Sequence, residues 1–166
     1  TSAPGMEINL LTDVVLKRAN VRPGALVVER TYGMLEVHAD SPADVQEAGE
    51  VILDHLGMKI SDRLKPKILA SQTVELLHPY MSQIVNRFRS ASLSVSDETL
   101  YMIECVPAGY AGYVANEAEK AADIKLNHVT VFGASGRVYF SGTTSDIKAG
   151  KEAAEAALAS IDGRDH

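Results

Sequence analysis

The sequence is poor in aromatic residues and lacks tryptophan altogether. Phe, Trp and Tyr together make up 5% of the chain, so stacking platforms for nucleic-acid bases are not expected. The formal net charge is -6, and no basic cluster extends beyond Lys17-Arg18. Because the electrostatic footprint of a nucleic-acid binder is missing, we predict no nucleic-acid partner.

Cysteine and long apolar runs are also scarce. The single cysteine, Cys105, lies inside the apolar run Leu100 to Val106, where a thiol usually serves as a small buried hydrophobe. No apolar run approaches the roughly 18 residues that a membrane span requires. The segment Thr1 to Glu7 lacks the basic-then-apolar pattern of a signal peptide. These absences predict a cytosolic protein without a membrane partner.

Recognisable catalytic and metal-binding motifs are missing as well. The histidines are His38, His55, His78, His128 and His166. No two of them stand at a ligand spacing such as i, i+4 on one helix. There is no Gly-x-Ser-x-Gly elbow, and nothing in the sequence brings Ser, His and Asp together. We therefore predict no catalytic residue, no cofactor and no metal.

An internal repeat with a period of 103 residues organises the chain. The segment Lys17 to Val21 recurs in type as Lys120 to Ile124. Pairs that keep this register are Pro4 with Pro107 and Gly33 with Gly136, while Asp44-Val45 matches Asp146-Ile147 at 102 residues. A period of this length is the size of a small domain, which indicates a tandem duplication rather than a solenoid.

Each copy is predicted to contain a helix, two strands and a second helix. In copy one, periodicity favours a helix over 10–19, strands over 25–29 and 34–39, and a helix over 43–56. The corresponding ranges in copy two are 114–122, 128–132, 137–141 and 146–161. A glycine-bearing turn joins each strand pair. We expect Asp40-Ser41-Pro42 to cap the 43–56 helix, and Gly57 and Gly163 to mark helix ends.

A segment without a counterpart in copy one lies between the two copies. It predicts a strand over 67–73, a helix over 76–88, a polar turn over 90–98 and a strand over 100–106. The complete unit is then strand, helix, strand, helix, hairpin, helix. We predict a first domain over 1–60 that lacks its leading strand, helix and strand, roughly 40 residues, and a second domain over 61–166.

Seven short segments, spread over nearly the whole chain, carry a family resemblance. They are Pro4 to Asn9, Leu16-Lys17, Val21 to Gly24, Glu29 to Gly33, Lys65 to Lys67, Ala115 to Ala122 and Gly133 to Arg137. In this order they resemble the bacterial microcompartment shell-domain family, specifically its circularly permuted, tandem, gated carboxysome members. The resemblance implies an α/β (α+β) fold of two tandem ferredoxin-like shell domains, with the first copy N-terminally truncated.

The resemblance also implies architecture rather than catalysis. In such proteins three chains form a flat pseudo-hexameric tile with a gated central pore, and two trimers can stack face to face. The implied partners are further copies of the chain, other shell proteins and small anionic metabolites such as sugar phosphates. The implied location is the carboxysome shell in the bacterial cytoplasm. The rival interpretation is a small-molecule-binding or enzymatic duplicated α+β domain, with its ligand between the copies.

The turn between the strands of copy one is the predicted pore gate. As an ordinary hairpin with a glycine supplying unusual backbone angles, it needs no function. By the resemblance, Glu29 and Arg30 form the gate, and Thr31, Tyr32 and Gly33 lie at the pore rim. Three copies of an acid and a base can pair across a threefold axis and close the opening.

The matching turn of copy two carries no charge. It consists of Gly133, Ala134, Ser135 and Gly136 and lacks the spacing and Lys of a nucleotide-binding loop. By the resemblance it completes the pore rim, where its amides and Arg30 could attract anions.

Two lysines, Lys17 and Lys120, close equivalent helices. A favourable interaction with the helix dipole explains them without any further function, whereas the resemblance places both at the tile edge, against a neighbouring tile. The acidic residues Glu117 and Glu119 are interpreted as a solvated face that supports Lys120.

Overall fold

The computed structural model describes residues 1–165 and divides into two compact units. The first unit comprises Thr1–Lys65 with the short segments 132–134 and 163–165, and the second comprises Pro66–Val131 with Ser135–Asp162. Among residues 1–165, no helix combines the length and apolar character that a bilayer crossing needs.

The first unit contains a two-stranded antiparallel hairpin and two helices, of which the first packs against the hairpin and against the second helix. Its elements are α1 (Glu7–Arg18), β1 (Arg22–Glu29), β2 (Tyr32–His38), α2 (Pro42–Leu56) and a single 3-10 turn (Ile60–Asp62). Helix α1 buries Ile8, Leu11 and Val15, whose spacing places them on one helix face. Val15 joins Ala48 and Val51 of α2 in the small core of this unit.

The second unit has a four-stranded antiparallel sheet in the order β3-β4-β6-β5. Its elements are β3 (Lys67–Val74), α3 (Pro79–Phe88), β4 (Thr99–Val106), α4 (Tyr110–Ala121), β5 (Lys125–Thr130), β6 (Gly136–Gly142) and α5 (Thr144–Ala159). The predicted order strand, helix, strand, helix, hairpin, helix is therefore the observed one. Helices α4 and α5 bury small and branched side chains, including Val114 and Ile147, against Tyr101 and Phe140 of the sheet.

Cys105 belongs to this core, as the sequence predicts. Its side chain is 1% exposed, and burial, with a smaller contribution from the neighbouring Glu104 carboxylate, raises the pKa of the thiol to about 11. The cysteine is therefore a packing residue.

The internal repeat is visible in the backbone hydrogen bonds. The turn before α1 is closed by Glu7 N donating to Pro4 O at 3.1 Å, and the turn before α4 by Tyr110 N donating to Pro107 O at 3.2 Å. The helix ends match too, since Ala19 N donates to Val15 O and Ala122 N to Ala118 O. Each of these pairs is separated by the 103-residue period of the sequence.

Several predicted boundaries are corrected by the structure. Helix α1 begins at Glu7 rather than Leu10, because the Pro4 turn leads directly into it. Helix α3 begins at Pro79 rather than Leu76: Leu76 has a positive φ of 49°, and His78 caps the helix by accepting from Tyr80 N at 3.2 Å. The cap of α2 is confirmed, with Ser41 Oγ accepting from Ala43 N at 3.2 Å.

The two glycines predicted to end helices behave differently. Gly57 follows α2 in the left-handed conformation, with φ 64°, and ends it as predicted. Gly163 does not end α5, which stops at Ala159. A side chain at Gly163 would meet the backbone of Arg63 to Lys65, so close packing explains this glycine.

One residue at the start of copy one, Ser2, matches the end of the segment that was predicted to have no counterpart there. Ser2 forms an antiparallel bridge with Gly33, and Cys105 pairs with Gly136 in β4 and β6. Ser2 stands 103 residues before Cys105, so it occupies the position of the end of β4. From Met34 to His38, β2 pairs only with β1 among residues 1–165.

Candidate functional site

The charged turn of copy one is a tight, two-residue loop. Strand β1 ends at Glu29 and pairs through it with Tyr32 at the start of β2, so only Arg30 and Thr31 lie between the strands. Loops of this length need a positive φ at one or both central positions, and Arg30 adopts it with φ 52°. A non-glycine residue in this conformation is uncommon and strained.

The structure corrects the role predicted for Gly33. It does not supply the positive φ of the turn, since Arg30 does. Gly33 lies in β2, where a Cβ atom would stand 2.6 Å from Ile8 Cβ and overlap the carbonyl oxygen of Gly5. Gly136 repeats this arrangement in copy two, with a Cβ atom 2.7 Å from Ala111 Cβ and in overlap with the carbonyl oxygen of Ala108. Both glycines let a strand approach the start of a helix.

The two charges of the first turn have no partner within the described chain. Arg30 is exposed and Glu29 is half-buried. Over residues 1–165, neither side chain forms an ion pair or a side-chain hydrogen bond. Tyr32 beside them is 39% exposed. Their charges are therefore available to groups outside the chain.

The second turn contains a glycine in the left-handed region. Gly133 has φ 89° and is buried. Within the first compact unit, to which residues 132–134 belong, a Cβ atom at this position would overlap the Glu29 carboxylate. Glycine at position 133 thus leaves room for the carboxylate of the predicted gate residue.

Ser135, in the second unit, is held by a carboxylate that the sequence analysis missed. Its hydroxyl donates to Glu104 Oε1 at 2.5 Å, and Arg137 Nε donates to the same oxygen at 3.2 Å. The hydrogen bond from Ser135 lowers the pKa of Glu104, Arg137 acts in the same direction, and burial opposes both. The sequence offers one signal, a charged residue inside the apolar run Leu100 to Val106, and the structure places it on the face of β4 away from the helices.

A shallow concavity of about 330 Å³ lies on that face of the sheet. It is lined by Ala70, Gln72, Met102, Ile103, Glu104, Arg137 and Tyr139. Glu104 and Arg137 pair with each other across it. Within residues 1–165 there is no group of three or more His, Cys, Asp or Glu residues that could hold a metal ion.

A buried polar contact in the second unit has a structural explanation. Tyr101 OH lies 2.9 Å from Ser71 Oγ and donates to Glu155 Oε1 at 3.2 Å. Burial raises the pKa of the phenol. These bonds satisfy a fully buried hydroxyl. They also join β3, β4 and α5, which carry Ser71, Tyr101 and Glu155.

The two lysines lie in the last turns of α1 and α4. Lys17 Nζ pairs with Asp13 Oδ2 at 2.7 Å, and Lys120 Nζ pairs with Glu117 Oε1 at 2.9 Å. Their side chains remain 72% and 64% exposed. Glu117 supports Lys120 as predicted, while Glu119 is exposed. Both lysines are held at helix ends with their surfaces open.

Two copies of one α/β unit, with a charged hairpin turn in the first and an uncharged turn in the second, are the arrangement of a tandem shell-domain protein. Residues 2–62 match the family model described as the CsoS1D N-terminal domain. Carboxysome shell protein CcmP of Synechococcus elongatus is 46% identical over 164 residues, which cover 99% of this chain and 77% of the relative. Carboxysome shell protein CsoS1D of Hydrogenovibrio crunogenus is 39% identical over 157 residues, which cover 94% of this chain and 77% of that relative. The chain belongs to this family of carboxysome shell proteins.

Solved structures agree with the assignment. The double ringed trimeric shell protein MSM0271 from the RMM microcompartment superposes with a TM-score of 0.94 at 34% identity, covering 98% of this chain and 81% of that one. The fused permuted hexameric shell protein MSM0275 from the same microcompartment superposes with a TM-score of 0.93 at 41% identity, covering 98% of this chain and 80% of that one. The resemblance, the tandem α/β (α+β) fold and the structural, non-enzymatic class are confirmed. The rival enzymatic interpretation receives no support from these relatives.

Proposed function

We propose that three copies of the chain form a pseudo-hexameric shell tile whose central pore is opened and closed by Glu29 and Arg30. The observation that carries the proposal is the pair of adjacent opposite charges on a tight turn, both without a partner in the described chain. The similarity to a trimeric shell protein at 34% identity supports the assembly. Threefold symmetry repeats any axial residue three times.

The chemistry of the turn suits a gate with two states. Three Glu29 carboxylates and three Arg30 guanidinium groups brought to one axis can pair and neutralise each other, which closes the opening. If the turns swing outward, the same groups return to water. An exposed ion pair stabilises by only about 0–1 kcal/mol, so a small bias suffices to exchange the two arrangements.

The remaining rim residues are assigned to passive roles. Thr31, Tyr32 and Gly33 flank the gate, and Gly133, Ala134, Ser135 and Gly136 form the uncharged part of the rim. With the pore open, Arg30 and the backbone amides of the second turn favour anions. We therefore propose that small anionic metabolites such as sugar phosphates pass through the pore.

Assembly beyond the trimer follows the same reasoning. Lys17 and Lys120 are proposed to lie at the tile edge, where long exposed side chains can pack against a neighbouring tile in the shell. The partners are then other shell proteins of a carboxysome in the bacterial cytoplasm. A stacked dimer of trimers is a further proposal, supported by the double ring named for MSM0271.

The gate is tested by the double variant Glu29→Ala with Arg30→Ala. Light scattering should still report the trimer, and its crystal structure should have a permanently open pore. The matched control is the double variant Arg22→Ala with Asp40→Ala. These two residues form an exposed 2.8 Å ion pair at the opposite end of the same hairpin. That control should keep the pore of the parent protein. A closed pore in the gate variant contradicts the assignment.

A further inference from the structure

Glu104 binds the second turn from the neighbouring strand. It stands in β4 directly opposite Arg137 of β6, and its Oε1 atom accepts both from Arg137 Nε and from the hydroxyl of Ser135. Ser135 is the last residue of the turn before β6 begins at Gly136. One oxygen of the Glu104 carboxylate therefore binds both the last residue of the turn, Ser135, and Arg137 of the strand β6 that follows the turn. All three residues lie in the second unit.

The same end of the turn is held a second time by packing. Gly136 is buried against Ala108 and Ala111 at the start of α4, and β6 is paired on both sides, with β4 and with β5. This pairing and packing oppose any shift of the strand that follows the turn. Bonds to a charged acceptor are about twice as strong as neutral ones, so the serine hydroxyl is a firm tether on this fixed base.

The first turn has no equivalent tether. One repeat period earlier, Thr1, Tyr32 and Met34 stand in place of Glu104, Ser135 and Arg137. Neither Tyr32 nor Met34 can reproduce the serine and arginine bonds to a shared carboxylate. Resting on the proposed pore function, we propose that Glu104 is a positioning residue that holds the glycine-rich rim turn in one conformation, so that only the charged turn moves during gating.

Spin labels at equivalent positions of the two turns test this inference. Ala134 and Thr31 are both exposed and lie 103 residues apart, and the native Cys105 is 1% exposed and therefore protected from labelling. Single labels at Ala134→Cys or Thr31→Cys are introduced into the full chain, and nanosecond mobility is read by electron paramagnetic resonance. In the parent protein, we expect the label at position 134 to be restricted.

The variants Glu104→Ala and Ser135→Ala should each shorten the correlation time of the 134 label by about twofold. Glu104→Gln should restore only part of the restriction, since its neutral amide oxygen still accepts from Ser135 but more weakly than a carboxylate, whereas a purely steric role would let this isosteric side chain restore it in full. Gln72→Ala, which alters the same concavity from β3, is the matched control and should change nothing. The label at position 31 should keep its spectrum in every variant.

Unchanged mobility at position 134 in both alanine variants would overturn the inference. So would an equal rise at position 31, because the effect would then not be confined to the second turn. Failure here is distinguishable from failure of the proposed gate. The label reports the tether whether or not a pore forms, while the pore of the Glu29 and Arg30 double variant reports the gate whether or not the tether exists.

Discussion

The two hairpin turns occupy the same place in the two copies and differ in charge, in the residue that adopts the positive φ and in anchorage. The first carries adjacent Glu29 and Arg30, with Arg30 at φ 52° and no partner for either charge among residues 1–165. The second is uncharged, uses Gly133 for its positive φ of 89°, and is tied to Glu104 through Ser135. Duplication within one chain thus places a charged turn without an internal partner and an uncharged, anchored turn at equivalent positions, which is the asymmetry that the proposed gate requires.

The strain at Arg30 supports this contrast. A non-glycine side chain in the left-handed region costs about 1–2 kcal/mol, and glycine or asparagine is the usual residue at such a position. The second copy uses glycine at its own left-handed position. Where a strained residue persists although a relaxed one was available, a function for its side chain is a reasonable inference.

The largest predicted effect concerns the paired glycines beneath the two turns. Gly136→Ala should lower the free energy of unfolding by about 3 kcal/mol, because the added methyl group meets the backbone of Ala108 while β6 is held between two strands. Gly33→Ala should cost about half as much, since the second partner of Gly33 is an isolated bridge to Ser2 rather than a full strand, so β2 can shift more easily than β6. Urea unfolding of the two variants measures the difference.

Gly49→Ala is the control for these substitutions. Gly49 lies in α2 with nothing within 4 Å of an added Cβ atom, so alanine should stabilise the protein by about 1 kcal/mol through its higher helix propensity. Equal losses at positions 33 and 136 would show that the extra strand pairing of β6 does not limit its movement.

A smaller effect is expected where Gly133 of the second turn approaches Glu29. Gly133→Ala should destabilise by about 1–2 kcal/mol, because alanine disfavours φ 89° and its methyl group overlaps the Glu29 carboxylate. Combining it with Glu29→Ala removes the overlap but not the backbone strain, so the double variant should recover part of the loss. Unfolding of the single and double variants by urea gives the coupling. Strict additivity would mean that the carboxylate does not rest against Gly133.

Much of the fold was predictable because its signals are local. The strand and helix order, the Ser41 cap and the left-handed Gly57 follow from short sequence patterns. The 103-residue repeat then extended these local predictions to both copies. Element starts were less predictable, since the start of α3 depends on Leu76 adopting a positive φ and on His78 as a cap.

The candidate site was predictable only in part. The sequence identified both turns, but it assigned the unusual backbone angle to Gly33, whereas Arg30 carries it. Gly33 is instead required by the approach of Gly5 and Ile8, a contact between β2 and the start of α1 that no local pattern reveals. Glu104 was missed for the same reason: its bond to Ser135 spans 31 residues and depends on the pairing of β4 with β6.

The smallest effect on stability, with a specific effect on assembly, is predicted for the helix-end lysines. Lys17→Ala with Lys120→Ala removes two exposed ion pairs within helices, each worth only about 0.3–0.5 kcal/mol, so unfolding and the mass of the soluble oligomer should hardly change. We expect the parent protein to form extended flat layers of tiles that are visible by electron microscopy. The variant should not form them, because the exposed lysine surfaces are proposed to meet a neighbouring tile.

A matched variant separates the edge contact from the ion pairs. Asp13→Ala with Glu117→Ala breaks the same two pairs but leaves both lysines in place, so the layers should persist. If the layers survive without the lysines, the two helix ends do not form the tile edge. In that case the favourable interaction of Lys17 and Lys120 with the helix dipoles is sufficient to explain both residues. The two copies would then be equivalent at these helix ends, in contrast to their turns.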